Sequence, residues 1–259
     1  FALQNLSTPF IGVSDDATAF YALAAMNVAE RPLELRLGII GQWVEDPEKA
    51  FGNFYVHHPA GALLPAVITY KLFGITEGAA RFGPFALTIA SLIIFYFALK
   101  RIFKENLAIP FLILLTFVVL PASVYYGKLL DVWQIALPLS LITFSLFVFH
   151  GIAHKRLYLF LFLVSVLWGG LSSWFYYFMP GAIFLFMLFF KAGKEFFERK
   201  VYLMGIPSLL GGTFLANLMH FYVLNGARSL PEIFYTFLLG VGRDPVEPWV
   251  SVMLGIARQ

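Results

Sequence analysis

Six stretches of this chain are apolar, free of Asp, Glu, Lys and Arg, and long enough to cross a bilayer: Phe82 to Leu99, Leu107 to Tyr125, Val132 to Phe149, Leu157 to Trp174, Phe175 to Phe190 and Val201 to Leu224. A hydrocarbon core of ~30 Å takes about 20 residues of helix, and inside it each backbone amide must be satisfied within its own segment. Each stretch is therefore expected to be a membrane-crossing helix. A seventh, Pro59 to Gly74, is shorter and contains Pro65 and Lys71, so it is expected to lie in the interface plane. The expected fold class is all-α: a polytopic integral membrane protein with six or seven transmembrane helices. Composition agrees, since 60% of the 259 residues are hydrophobic and 13% charged, more apolar surface than one water-soluble core of this size can hide.

The net charge of +3 does not point to nucleic acid, because Lys and Arg sit in short clusters between the apolar runs, where they set topology. The strongest clusters are Lys100-Arg101 with Lys104, Lys155-Arg156, and Lys191 to Lys200. With all three on the cytoplasmic side, the turns at Tyr125 to Asp131 and Leu171 to Trp174 are exoplasmic, and so is Arg81 ahead of the first crossing. The organisation expected is an exoplasmic loop with juxtamembrane helices over 1–80, followed by a transmembrane helical domain over 81–259. There is no cysteine, which excludes disulfides, thiolate catalysis and Cys-ligated zinc.

Within the first 59 residues, Asp16 to Val28 reads as a short helix. Ala17, Phe20, Tyr21, Ala24 and Val28 recur at helical spacing, with Ser14 or Asp15 as its cap. Asp15-Asp16 then has two readings. Acids at a helix start cap free N–H groups and complement the macrodipole. Neighbouring carboxylates also suit catalysis, one as general base toward a hydroxyl and the other binding a divalent cation or orienting substrate. His57 and His58, in Tyr55-Val56-His57-His58-Pro59, are either headgroup-level anchors or partners of a phosphate or metal. Asp131 returns to the same face by the charge pattern. Arg81 and Lys128 supply cations there, suited to a phosphate leaving group. Ion-coupled transporters place ionisable residues near the midplane, which these helices lack. A non-enzymatic lipid or polysaccharide transporter or flippase is the competing expectation.

The order of these features resembles a known family. Asp15-Asp16-Ala17-Thr18-Ala19-Phe20-Tyr21 is followed by Tyr55-Val56-His57-His58-Pro59, by Phe73-Gly74 with Glu77 and Arg81, and by Tyr126-Gly127-Lys128-Leu129-Leu130-Asp131. Over residues 14 to about 131 this is similar to the GT-C glycosyltransferases, in the branch of the protein O-mannosyltransferases and the lipid A aminoarabinose transferase. The resemblance implies Asp15 as catalytic base, Asp16 as its partner and Asp131 as the family's later aspartate in a Tyr-x-x-x-x-Asp context. His58-Pro59 falls on a basic-Pro-Pro motif, with Ala60 in place of the second proline. It also implies His57, His58, Arg81, Lys128 and Tyr126 as substrate-binding residues, and Asp16 with His58 as ligands if a divalent cation (Mg, Mn or Ca) takes part.

The reaction implied moves a sugar, with inversion, from a dolichyl- or undecaprenyl-phosphate donor to a hydroxyl acceptor on a protein, lipid or glycan. It would occur on the exoplasmic face of a prokaryotic plasma membrane or the endoplasmic reticulum. The family places a transmembrane helix ahead of the acidic loop, so the chain is expected to be an N-terminal fragment lacking that helix.

Overall fold

The computed structural model describes residues 15–31, 37–40, 54–119, 129–189, 199–229, 231 and 233. It is a helical bundle. The elements are α1 (Asp15–Glu30), α2 (Leu64–Phe73), α3 (Glu77–Ile102), α4 (Ala108–Val119), α5 (Val132–Ala153), α6 (Arg156–Gly170), α7 (Phe178–Phe189) and α8 (Arg199–Asn225). Single 3-10 turns occur at Ala60–Leu63, Trp174–Tyr177 and Gly226–Arg228. Among the described residues the one β contact is an antiparallel bridge between Ile39 and Tyr55.

Among the described residues, three helices are long and apolar enough to span a bilayer: α3, the Gln134–Ala153 part of α5, and α8. Ala108–Val119, Arg156–Gly170 and Trp174–Phe189 are shorter apolar helices within the remaining predicted crossings, and 120–128 and 190–198 lie outside the described residues. Each long helix buries one face and offers another to lipid. On α3, Ser91, Phe95, Ala98 and Leu99 are buried, whereas Phe82, Ile89, Ile93 and Phe97 are exposed at helical spacing. An exposed apolar stripe of that length is stable only against hydrocarbon. The architecture is that of a polytopic all-α membrane protein.

The predicted interfacial segment is a short α2 with Pro65 in its first turn, where the missing N–H costs nothing. Gly74 ends it at φ 82°, a left-handed conformation that glycine adopts freely. Thr76 then caps α3, its hydroxyl accepting from the Ala79 N–H at 3.1 Å. The pair forms a tight hairpin in which a Cβ on Gly83 would stand 2.3 Å from the Pro65 carbonyl oxygen. Arg81, expected just ahead of the apolar run from Phe82, lies in the second turn of α3, which begins at Glu77, and is buried.

The two ends of the bundle differ in chemistry. At one, Arg199 donates to the carbonyls of Met187 (2.9 Å) and Leu188 (3.1 Å), placing a cation on the negative end of α7. Arg101 covers the Phe149 ring at 5.4 Å, and His150 Nδ1 meets the Tyr202 hydroxyl at 2.7 Å. This end gathers Lys100-Arg101, Lys155-Arg156 and Arg199-Lys200 over a core of Phe147, Phe162, Met187, Tyr202 and Ile206. The opposite end carries α1, residues 54–63, Asp131 and the turn after α6, over a separate core built from α1, α2 and the heads of α3 and α5.

Candidate active site

The segment Phe54–Gly61 is the hub of that second end, and it is fixed from four directions. Tyr55 N–H donates to the Ile39 carbonyl at 2.8 Å. Asn225, at the end of α8, imitates a strand neighbour: its Oδ1 accepts from the Phe54 N–H (3.1 Å) and its Nδ2 donates to the Phe54 carbonyl (2.7 Å). Trp174 Nε1 donates to the His57 carbonyl at 2.7 Å. Gly61 N–H donates to the Leu171 carbonyl at 2.9 Å, and Trp168 Nε1 to the Gly61 carbonyl at 3.3 Å. An irregular segment at a membrane boundary must have its backbone groups satisfied by other elements, and here α6, α8 and the Trp174 turn do so.

Held this way, the segment presents an aromatic and imidazole cluster to α1. The Tyr55 ring lies 4.9 Å from that of His57 and 6.0 Å from that of His58, tilted in both cases. Phe20 and Tyr21 of α1 meet Tyr55 edge-on at 5.3 and 6.2 Å. α1 approaches closely because Ala22, Ala24, Ala25 and Ala29 line its buried face. Its end is tied by Asn27, which donates to the Ile40 carbonyl at 3.2 Å.

Asp131 stands at the head of α5, where its carbonyl accepts from Gln134 and Ile135, both at 3.1 Å. Its charge reaches both tyrosines. Burial pushes the Tyr21 phenol far above its usual range, reinforced by Tyr55 and by Asp131. Burial also raises Tyr55, whose hydrogen bond to Tyr21 pulls the other way while Asp131 pushes up. Both imidazoles are depressed. Burial lowers His57, and burial together with the charge of His57 brings His58 down to about 4. At neutral pH both are uncharged and act as hydrogen-bond partners rather than cations.

Of the residues singled out from sequence, His57 and His58 gather around Tyr55, and the charge of Asp131 acts on Tyr55 and Tyr21. Arg81 belongs to the same end of the bundle, buried in the second turn of α3. Asp15 and Asp16 open α1, with their side chains outside the described residues, and Tyr126 and Lys128 lie outside them entirely. Sequence reading missed Trp174 and Asn225, whose tie points lie 117 and 171 residues away in the chain. A tryptophan in a turn and an asparagine at a helix end were the signals available.

Among the described residues no three His, Asp or Glu side chains gather closely enough to hold a metal ion. His58 has the uncharged imidazole a ligand needs, while the carboxylate of Asp16 lies outside those residues. An open groove of about 780 Å³ runs along a different flank of α1, lined by Ala19, Leu23, Met26, Tyr70, Ile75 and Glu77. Asp131, His57 and His58 do not line it. There the Tyr70 hydroxyl donates to the Ala22 carbonyl at 3.3 Å, and burial with the charge of Glu77 pushes its phenol up to about 12.

No protein-family model and no curated protein sequence matches this chain. Among solved structures it is similar to the crystal structure of ArnT from Cupriavidus metallidurans in the apo state, with a TM-score of 0.56 and 15% identity. The match covers 93% of this chain and 49% of ArnT, so the chain spans about half the length of that protein. At such identity the likeness is one of architecture: the chain shares the fold of a polytopic helical membrane protein.

Proposed function

We propose that this chain is part of a GT-C glycosyltransferase that moves a sugar from a polyprenyl-phosphate donor, dolichyl or undecaprenyl, to a hydroxyl acceptor on the exoplasmic side of its membrane. One observation supports this above the others: Tyr55, His57 and His58 gather beside α1, whose first two residues are Asp15 and Asp16, and the charge of Asp131 acts on Tyr21 and Tyr55 of that cluster. The likeness of fold to ArnT supports the reaction class.

In this proposal Asp15 takes the proton of the acceptor hydroxyl. The oxygen attacks the anomeric carbon on the face opposite the phosphate, the C–O bond to the phosphate breaks, and polyprenyl phosphate leaves, which inverts the configuration. Asp16 orients the acceptor. Asp131 offsets the positive charge that develops on the ring. Arg81 and Lys128 meet the charge of the departing phosphate, while His57, His58 and Tyr126 contribute hydrogen bonds to it. The exposed apolar stripes of the helices suit an isoprenoid tail lying in the bilayer.

The test is Asp15→Asn in the full-length protein, assayed for sugar transfer from a polyprenyl-phosphate donor in proteoliposomes. Loss of a general base is expected to cost ~10²–10⁴-fold in turnover. Turnover near that of the unaltered protein would remove Asp15 from the mechanism.

A further inference from the structure

We propose that the basic end of the bundle is a docking surface for an anionic phospholipid: Arg101, Lys155 and Arg156 meet its phosphate, and its acyl chains lie along the exposed apolar face of α6. The surface is separate from the candidate active site and does not depend on the reaction assigned there.

The three cations come from two separate parts of the chain and are joined through two rings. Arg101, in the last turn of α3, lies 5.4 Å over the Phe149 ring near the end of α5. Phe149 meets Tyr158, in the first turn of α6, at 5.5 Å between ring centroids. The Tyr158 N–H in turn donates to the Lys155 carbonyl at 3.0 Å. The turn that carries Lys155 is short. His154 takes a left-handed conformation at φ 52°, which histidine adopts more readily than most residues, and its N–H still donates to the His150 carbonyl at 2.8 Å. Lys155 therefore follows α5 almost directly and Arg156 opens α6, so both cations ride on the bundle itself.

Positive charge at this end is poorly offset. Among the described residues Glu105, in the turn between α3 and α4, is its one acidic residue, and the first turn of α6 has none. Arg199 is committed to the α7 carbonyls, whereas Arg101, Lys155 and Arg156 are exposed. Neighbouring like charges raise one another's energy, and an anion among them relieves it. A zwitterionic headgroup would bring an ammonium into the same place, so a net-negative one fits better.

The adjoining apolar surface selects a lipid over a free anion. Leu157 and Phe160, one and four residues beyond Arg156, are 61% and 62% exposed, and Leu161, Val164 and Leu167 continue the exposed apolar surface along α6. Inorganic phosphate gains nothing from such a face. A phosphate carried on acyl chains matches both parts, its headgroup at the cations and its chains on the helix.

The experiment titrates the full-length protein, in a neutral detergent, with phosphatidylglycerol, with phosphatidylcholine of the same chains and with inorganic phosphate, reading bound lipid by native mass spectrometry and the thermal midpoint alongside. Phosphatidylglycerol is expected to bind and to raise the midpoint, and the other two are not. Arg101→Gln, Lys155→Gln and Arg156→Gln are each expected to weaken phosphatidylglycerol ~5-fold, and the triple variant ~100-fold. Lys71→Gln, which removes an exposed cation on α2, should change nothing. An unaltered affinity in the triple variant, or an equal loss in Lys71→Gln, would overturn the proposal. So would phosphatidylcholine binding as tightly, or inorganic phosphate producing the same rise in midpoint. A measurement on the unaltered protein guards against a variant that does not fold: binding is expected to weaken steeply between about 50 and about 500 mM salt, because exposed charges are screened, and salt-independent binding would equally refute the surface.

Discussion

Replacing Gly61 by alanine attacks the joint between the imidazole-bearing segment and the end of α6. An added Cβ would stand 2.4 Å from the Leu171 carbonyl oxygen, 2.8 Å from its carbon and 3.0 Å from the Ser172 hydroxyl. Two of these are backbone atoms, and Leu171 is itself held by a 3.1 Å bond from its N–H to the Leu167 carbonyl. Residue 61 must therefore retreat by roughly 1 Å to reach ordinary contact. That retreat stretches its own 2.9 Å bond to Leu171 and the Trp168 bond to its carbonyl. Overpacking costs about 1–3 kcal/mol and a lost buried hydrogen bond about 1 kcal/mol, against less than about 1 kcal/mol gained from alanine's helix propensity. A net loss of about 2–3 kcal/mol corresponds to roughly 4–12 °C in Tm for a chain of this size. Intrinsic tryptophan fluorescence during heating of the detergent-solubilised protein measures it, since Trp168 and Trp174 report on this joint. Gly212→Ala is the control, because a Cβ there meets nothing within 4 Å. A Gly61→Ala midpoint equal to that of Gly212→Ala would refute the close approach of residues 61 and 171.

The lowered His58 pKa makes stability depend on pH. Its folded value of about 4 lies below the 6.5 of an unburied imidazole, so its contribution is complete above pH 6.5 and is lost as pH falls from there through 4. About 2 kcal/mol should be gone by pH 5, and melting curves of the unaltered protein and His58→Gln should converge between pH 7 and 5; parallel curves would contradict the burial. Sidedness is tested by single cysteines near Asp16, Gly127 and Gly193 in this cysteine-free chain. Labelling from outside is expected at the first two and not the third, and outside labelling near Gly193 would reverse the orientation.

Hydropathy and charge made the bundle legible because both act locally. Asp16 to Val28 was expected to be helical, and α1 runs Asp15–Glu30; the break expected at Leu171 to Trp174 falls between α6 and the Trp174–Tyr177 turn. The short helix between Pro59 and Gly74 was visible in Pro65, in Lys71 and in the length of that segment. Arg81 shows where this stops. A charged residue beside an apolar run reads as its boundary, yet Thr76 caps the helix before it, and the tertiary setting of a buried guanidinium leaves no trace in a hydropathy window. The ties at Trp174 and Asn225 were invisible for a related reason: long-range hydrogen bonds to main-chain atoms have no periodicity of their own.

The site's electrostatics follow from the same separation of ends. Lys100-Arg101, Lys155-Arg156 and Arg199-Lys200 gather at the far end of the bundle, too distant to meet the phosphate that the proposed reaction places beside α1. From sequence, His57 and His58 were candidate partners of that phosphate. Burial leaves them neutral at physiological pH, so they can donate or accept a proton-sharing bond but carry no charge to the leaving group. In the proposed reaction the countercharge therefore falls to Arg81 and Lys128, and the imidazoles are left to orient. This division explains why the 54–61 segment is fixed so heavily: a neutral hydrogen-bonding group is useful only where its direction is set, whereas a charge acts over a distance. Four independent ties, from Ile39, Asn225, Trp174 and the end of α6, supply that direction.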